Sequence, residues 1–567
     1  MTPESRQRLV RVALGEERAD LVIRGANVVL VQTGEIVQAD VAIAEGRFAG
    51  FGAFEGRDVI DAAGQYLVPG FIDAHVHIES SMLTPFRFAQ AVLPHGTTSV
   101  VCEPHEIVNV LGLRGLDWML QAGRRSGLRV FASCPSSVPA SPFERGAHTL
   151  REPDIREGLT RDGVLGLAEV MNWPGVLAGD AHVWSILNAA GGRRVDGHGA
   201  GLPPAGVQAF AAAGIHSDHE AVTLEQGMER LRAGLWLMIR EGSGARNLEA
   251  LAPLLHRRPR RAMLVTDDTD ARELVEDGHM DRVLRKAVSL GVDPVYAVAL
   301  VTMHPAEYWG LTDLGVIAPG ARADFALVRD LTGFHVTYTH VAGAPAPEGT
   351  PPPEGGGVTL GAGWDVLPLD VPDAWPVIGV QDDQIVTLRL PPGTPTPVRL
   401  ASFDRHSERA SVGVARAAGI GLTRGAVGLS VQHDAHHLLV AGCTDDDIRA
   451  CAAAIREMGG GACVVLDGQV LARVPLPVAG LMTDAGPADV VRQQRHVEDA
   501  ARVLGCTLPN PLITLSFLGL TVIPTLKVTP GGLFDVDRQQ YVPHDEQTTV
   551  PEHGRQALDS LRSDPHA

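Results

Sequence analysis

The sequence predicts an α/β protein: a (β/α)8 TIM-type barrel, a small β-sandwich domain built from segments flanking the barrel, and a C-terminal α/β (α+β) domain. Three features predict it. Between Leu67 and Trp309, eight apolar runs end in polar residues and alternate with helix-length stretches, the pattern of repeated βα units. Short strand-like runs with Gly-bearing turns precede this region and recur after it. A Pro/Gly-rich stretch then sets off a tail of mixed strand-like and helix-like segments.

Within residues 1–66, from Asp20 to about Tyr66, LVIRGANVVLV and DVAIAEGRFAGFG alternate with turns, as half-buried strands do. So small a unit cannot close its own core. IAPGARADFALVRD and FHVTYTHV, in residues 317–344, supply return strands, which makes residues 67–316 an inserted barrel. The eight barrel runs end near His75, Cys102, Ser133, Glu169, His198, Ser217, Arg240 and Asp267. Helix starts are legible between them: Thr223 with Gln226 makes a capping box, and Asp293 before Pro294 makes an N-cap with proline at the first helical position. PAPEGTPPPEGGG, Pro345 to Gly357, cannot hold a regular element, so residues 345–376 are expected as a linker. In residues 377–567, QIVTLRL, HHLLVAG and CVVLDGQV read as strands, while TDDDIRACAAAIREMG and DVVRQQRHVEDAARVLG read as helices.

Composition narrows the function classes. A chain of 567 residues is too long for one core and implies two or three domains. With 48 basic and 67 acidic residues, the net charge of -19 repels nucleic acid and anionic membranes, which leaves a small molecule as the expected partner. The six cysteines (Cys102, Cys134, Cys443, Cys451, Cys463, Cys506) form no CxxC pair, as expected in a reducing compartment. MTPESRQRLVRVALGEERADL lacks a sustained apolar core for export, and no run reaches the ~20 apolar residues of a membrane span. The expectation is a cytoplasmic enzyme.

The chemistry gathers at the ends of the barrel runs. His75 and His77 in FIDAHVH stand at i and i+2, which on a strand points both imidazoles to one side. An isolated HxH is more often a pair of hydrogen-bonded surface histidines. Here Glu169 in GLAEVMN, His198 in VDGHG, His219 in HSDHE and Asp267 in MLVTDD end later runs. Each has an ordinary reading as a cap, a turn or a loop residue. Together they fall at the end of the barrel where catalytic residues collect. The set suits two divalent cations, Mn2+, Fe2+ or Zn2+, since imidazole and carboxylate donors are offered without thiolate. Such a pair lowers the pKa of bound water to near neutrality. Asp267 is then the expected proton shuttle to a leaving amine. Glu103 in CEPHE and Glu241 in REGS stand just past run ends and are candidate acids; pairing of Arg240 with Glu241 is the structural alternative.

Through PGFIDAHVH, Glu169 at the bridging position, His198, His219 and Asp267, the chain resembles the amidohydrolase superfamily. More narrowly it resembles the adenine deaminase family. FIDAHVHIESSM, CEPHEIVNVLG, DGHGAGL, AGIHSDHE, MIREGS and VTDD carry that likeness, as do GLTRGAVGLSVQHDAHHLLVAG and LPNPLITLSFLGLTVIPTLKVT beyond the linker. The resemblance implies hydrolytic deamination of adenine to hypoxanthine and ammonia in purine salvage, a binuclear Mn or Fe site, and a homo-oligomer. Ala200, Asp270 and His437 depart from the family's pattern without removing a ligand. His433, Asp434, His436 and His437 form a second polar cluster, read as a solvated or hydrogen-bonded turn, with a third metal or an active-site lid as the alternatives.

Other functions are weighed on the same residues. His77-Ile78-Glu79 matches half of a zinc base-deaminase signature, but no PCxxC accompanies it. A hydrolase of cyclic amides or N-acyl groups would use the same cations. A retired barrel serving as a scaffold would be expected to have lost ligands, and all six are present.

Overall fold

The computed structural model of the protein describes residues 1–381 and 385–543. Eight parallel strands follow one another around the barrel: β1 (Phe71–His77), β2 (Thr97–Cys102), β3 (Arg129–Cys134), β4 (Val164–Val170), β5 (Arg194–Gly197), β6 (Ser217–Asp218), β7 (Trp236–Arg240) and β8 (Ala262–Val265). They hydrogen-bond in two arcs, β1 to β5 and β6 to β8. The arcs meet where the His216 amide donates to the Val195 carbonyl at 2.9 Å. At the other joint, Asp267–Asp268 continues from β8 and pairs in parallel with β1, setting Asp267 opposite Val76 and Asp268 opposite His77. That pairing brings the last predicted ligand beside the first two.

Every residue of β1 (FIDAHVH) and β2 (TTSVVC) is buried, as in a parallel sheet covered on both faces. Ala74, Val101, Met238, Met263 and Val265 pack with Tyr308 and Trp309 in one buried cluster. The helix starts read from sequence are formed: Thr223 accepts from the Gln226 amide at 3.3 Å, and Asp293 from the Tyr296 amide at 2.9 Å ahead of Pro294.

Both flanking segments enter one seven-stranded sheet. Phe325–Val328 pairs antiparallel with Tyr66–Pro69, which in turn pairs with Ala19–Leu30. Ile23, Val28, Val41 and Phe325 pack on one face; on another, Leu9 and Val12 of helix Pro3–Ala13 cover Ala19, Val22 and Ala42.

After the barrel, residues 345–363 contain neither helix nor strand, yet they are pinned. Trp118 Nε1 donates to the Pro351 carbonyl and the Glu348 amide to the Arg125 carbonyl, both at 2.7 Å, and Val358 is buried. The C-terminal region builds an eight-stranded, mainly antiparallel sheet from Val377–Gly379 through Gln469–Pro475, with helix Asp445–Glu457 packed on it. It is joined to the barrel by polar contacts: Thr84 Oγ1 to Asp484 at 2.9 Å, Arg272 to Glu498 at 2.8 Å, and Glu144 accepting from the Thr521 amide at 2.8 Å.

Lys527, in strand Leu526–Thr529, is buried and donates to the carbonyls of Ile385 (2.8 Å) and Phe517 (3.0 Å). Burial pulls its ammonium down to about 7, against a partial opposing pull from Glu144. Between pH 7 and about 10.5 the unfolded chain therefore holds a proton that the folded chain has released, so stability rises with pH across that window. Denaturant titrations are expected to show the wild type gaining on Lys527→Met from pH 7 to 10; a constant difference would refute the assignment.

Candidate metal centre at the barrel mouth

All six predicted ligands converge at the C-terminal ends of the strands. His75 and His77 leave β1 on the same side, and Asp267 Oδ1 lies 3.6 Å from His75 Nε2 and 3.1 Å from His77 Nε2. Glu169, at the end of β4, reaches both flanks. Its Oε1 is 3.7 Å from His77 Nε2, while its Oε2 is 2.9 Å from His198 Nδ1 and 3.1 Å from His219 Nε2. Every one of these side chains is buried.

Several donors have no hydrogen-bond partner despite complete burial: His75 Nε2, His198 Nε2, His219 Nδ1 and both nitrogens of His105. The nitrogens of His198 and His219 that face Glu169 are also only 3.1 Å apart. Imidazoles crowded around a carboxylate oxygen make a donor set that fits a divalent cation. His75, His77 and Asp267 form one such group, His75, Glu169 and His219 another, and His77, His105 and Glu169 a third.

The electrostatics agree. Burial opposes charge on His75, His77 and His105. Even so, the carboxylates of Asp196 and Asp267, of Glu106 and Asp268, and of Glu106 and Asp434 respectively hold the three rings well above the usual histidine range. Burial likewise pushes Glu169 and Asp267 up. His198 and His219 outweigh it for Glu169, and His75, His77 and Arg240 outweigh it for Asp267, so both stay well below the usual carboxylate range. The floor of the barrel mouth attracts positive charge.

The two predicted acids require correction. Glu241 does not line the cavity: its Oε1 meets Lys286 Nζ at 2.6 Å and its Oε2 accepts from the Leu248 amide at 3.3 Å. Glu103 lies behind the ligands, with Oε2 accepting from the Glu169 amide at 2.8 Å and Oε1 3.4 Å from His105 Nδ1. Arg240 pairs with Glu220, 3.1 Å from Nη2 to Oε2, and with Asp267 at 3.2 Å, not with Glu241. Ser80 donates to Asp268, while Ser81 turns back to the Ile78 carbonyl.

Four acidic or imidazole groups at the site were not singled out in the sequence: His105, Glu106, Glu220 and Asp268. Each is a close chain neighbour of a residue that was, so scanning two or three positions past every run end would have found them. Asp434, expected in a hydrogen-bonded turn, is buried and lies 3.2 Å from His105 Nε2. Of the departures, Ala200 packs with Phe517 and Leu520, Asp270 caps helix Ala271–Glu276, and His437 lies 3.5 Å from Asp404.

Behind His219, Asp218 accepts from the Gly199 and Glu220 amides at 3.1 and 2.9 Å and from Arg230 Nε at 2.8 Å. Arg230 and Asp218 are both buried. Arg230→Met would leave that carboxylate uncompensated, and the expected loss is about 3–5 kcal/mol in denaturant unfolding. A loss under about 1 kcal/mol would show the pair to be dispensable.

Comparison with known proteins places the chain. Residues 66–346 match the amidohydrolase family and residues 382–540 the adenine deaminase C-terminal domain. An adenine deaminase of Deinococcus deserti is 56% identical over 95% of this chain and 98% of its own length. The chain belongs to the adenine deaminase family. An adenine deaminase of Deinococcus radiodurans is 56% identical over 89% of this chain and 95% of its own, and one of Archaeoglobus fulgidus 42% over 94% and 97%. As in the family's two-part pattern, a C-terminal domain follows the barrel. Here it covers the mouth: Ile385, His433, Asp434, Phe517 and Leu520 line a cavity of about 30 Å³ together with the barrel's ligands.

Proposed function

We propose that the protein is a metal-dependent hydrolase that deaminates adenine to hypoxanthine and ammonia, as part of purine salvage in the cytoplasm. The observation that carries this reading is the convergence of His75, His77, Glu169, His198, His219 and Asp267 in a chain that matches adenine deaminases almost end to end. Two divalent cations would be held by those six residues, with Asp267 and Glu169 each facing histidines on two sides. The family resemblance favours Mn2+, and the thiolate-free donor set accommodates Mn2+, Fe2+ or Zn2+. Cys102, Cys134, Cys443, Cys451 and Cys463, all in the thiol form, support a reducing compartment, and the family resemblance supports a homo-oligomer.

When bound, the cations supply Lewis acidity and ionised water at neutral pH. The protein's own groups do the rest. Asp267, at the junction of both β1 histidines and oriented by Arg240, takes the proton of the attacking water and returns it to the departing amine. Asp268, whose carboxyl is pushed up by burial and by Asp267, lines the same cavity and is the proposed acid for a ring nitrogen in place of Glu103 and Glu241. Phe517, Leu520 and Ile385 provide the apolar wall that a flat purine face needs and that keeps bulk water out.

Ammonia release from adenine, set against hydantoins, dihydropyrimidines and N-acyl amino acids, tests the reading. Turnover of adenine alone is expected. Activity confined to the other substrates would assign a cyclic-amide or N-acyl hydrolase, and a protein that took up no metal from Mn-supplemented medium would point to a scaffold.

A further inference from the structure

His105 faces two ways. Its Nδ1 lies toward Glu103 and Glu169, at 3.4 and 3.6 Å, on the side of the proposed cation pair. Its Nε2 lies toward the C-terminal domain, 3.2 Å from Asp434 Oδ1 and 3.8 Å from Glu106 Oε1. His433 Nδ1 approaches the same Asp434 oxygen at 3.4 Å, and its ring is fixed by stacking on Phe517, with centroids 4.5 Å apart. His105, Glu106, His433 and Asp434 are all at least nine-tenths buried.

Their polar atoms are not satisfied by one another. Both nitrogens of His105, both oxygens of Glu106 and Asp434 Oδ2 lack hydrogen-bond partners. Four buried carboxylates adjoin here, Glu79, Glu106, Asp268 and Asp434, and among the described residues no lysine or arginine forms an ion pair with any of them. Histidines alone face them, His77 and His105 for Glu106 and His105 and His433 for Asp434, and a divalent cation can take the place of the protons those imidazoles would otherwise carry. His105, His433 and Asp434 also place one ligand atom each within 4.8 Å of one another.

We propose that His105 Nε2, Asp434 and His433 Nδ1, with Glu106 beside them, bind a third divalent cation. Two imidazoles and one or two carboxylates suit Zn2+ or Mn2+. One ligand comes from the barrel loop after β2 and two from the turn before strand His437–Gly442, so the cation staples the C-terminal domain over the mouth. The inference rests on the proposed pair only for the count of cations.

Metal-stripped protein reloaded with Mn2+ or Zn2+, passed through gel filtration and measured by elemental analysis, gives the test. The wild type is expected to hold three cations per chain, and Asp434→Asn and His433→Ala two. Asp404→Asn, which removes a carboxylate facing His437 instead, keeps three. The last equivalent should raise the wild-type melting temperature and leave that of Asp434→Asn unmoved. Two cations in the wild type, or three in Asp434→Asn, would overturn this site alone; fewer than two in the wild type would overturn the pair as well.

Discussion

Asp267→Asn is expected to lower kcat for adenine by about 10³-fold, within the range for loss of a positioned acid–base group, with KM changed only a few-fold. The asparagine keeps the side chain's shape and an oxygen able to face His75 and His77, so the fold and most of the bound metal should persist. What it loses is the capacity to accept a proton and return it. Arg240, which now neutralises Asp267 Oδ2 at 3.2 Å, remains paired to Glu220 and is not left stranded. Steady-state kinetics beside elemental analysis separate the roles: wild-type turnover would remove the shuttle assignment, and loss of both cations would recast Asp267 as a ligand first.

Glu169→Ala should act on binding before chemistry. The nitrogens of His198 and His219 that point at Glu169 stand 3.1 Å apart and lie 2.9 and 3.1 Å from its Oε2. Removing the carboxylate takes a partner from both imidazoles and from His77. Metal affinity is expected to fall by more than about 100-fold, the upper end for losing even an outer hydrogen-bonding partner of a ligand. Equilibrium dialysis checks it. Wild-type occupancy in the variant would mean that Glu169 bridges nothing.

The barrel and its ligands were legible because their signals are local. A strand ending in HxH sets two imidazoles on one side by geometry alone, and the runs that end at Glu169, His198 and Asp267 place candidate ligands at the face where barrel chemistry collects. The acids were not legible for the same reason. Glu103 and Glu241 both follow a strand end immediately, and nothing near Glu241 in the chain announces that Lys286, on helix Met280–Ser289, will neutralise it. Asp434 shows the reverse. Its neighbours His433, His436 and His437 made the turn look polar and hydrated, whereas packing against His105 buries it. Which partner a charged side chain finds is a property of the assembled layers. The sequence gives its position, and only the contacts between domains give its role.

The cavity over the candidate ligands is only partly enclosed and has a volume of about 30 Å³, small beside the space a purine fills. Under the proposed function, Phe517 and Leu520 withdraw to admit adenine and again to release hypoxanthine, while the His433–Asp434 turn stays in place. Solution viscosity should then slow turnover even where bond cleavage is fast, because diffusion of a whole wall is part of the clock.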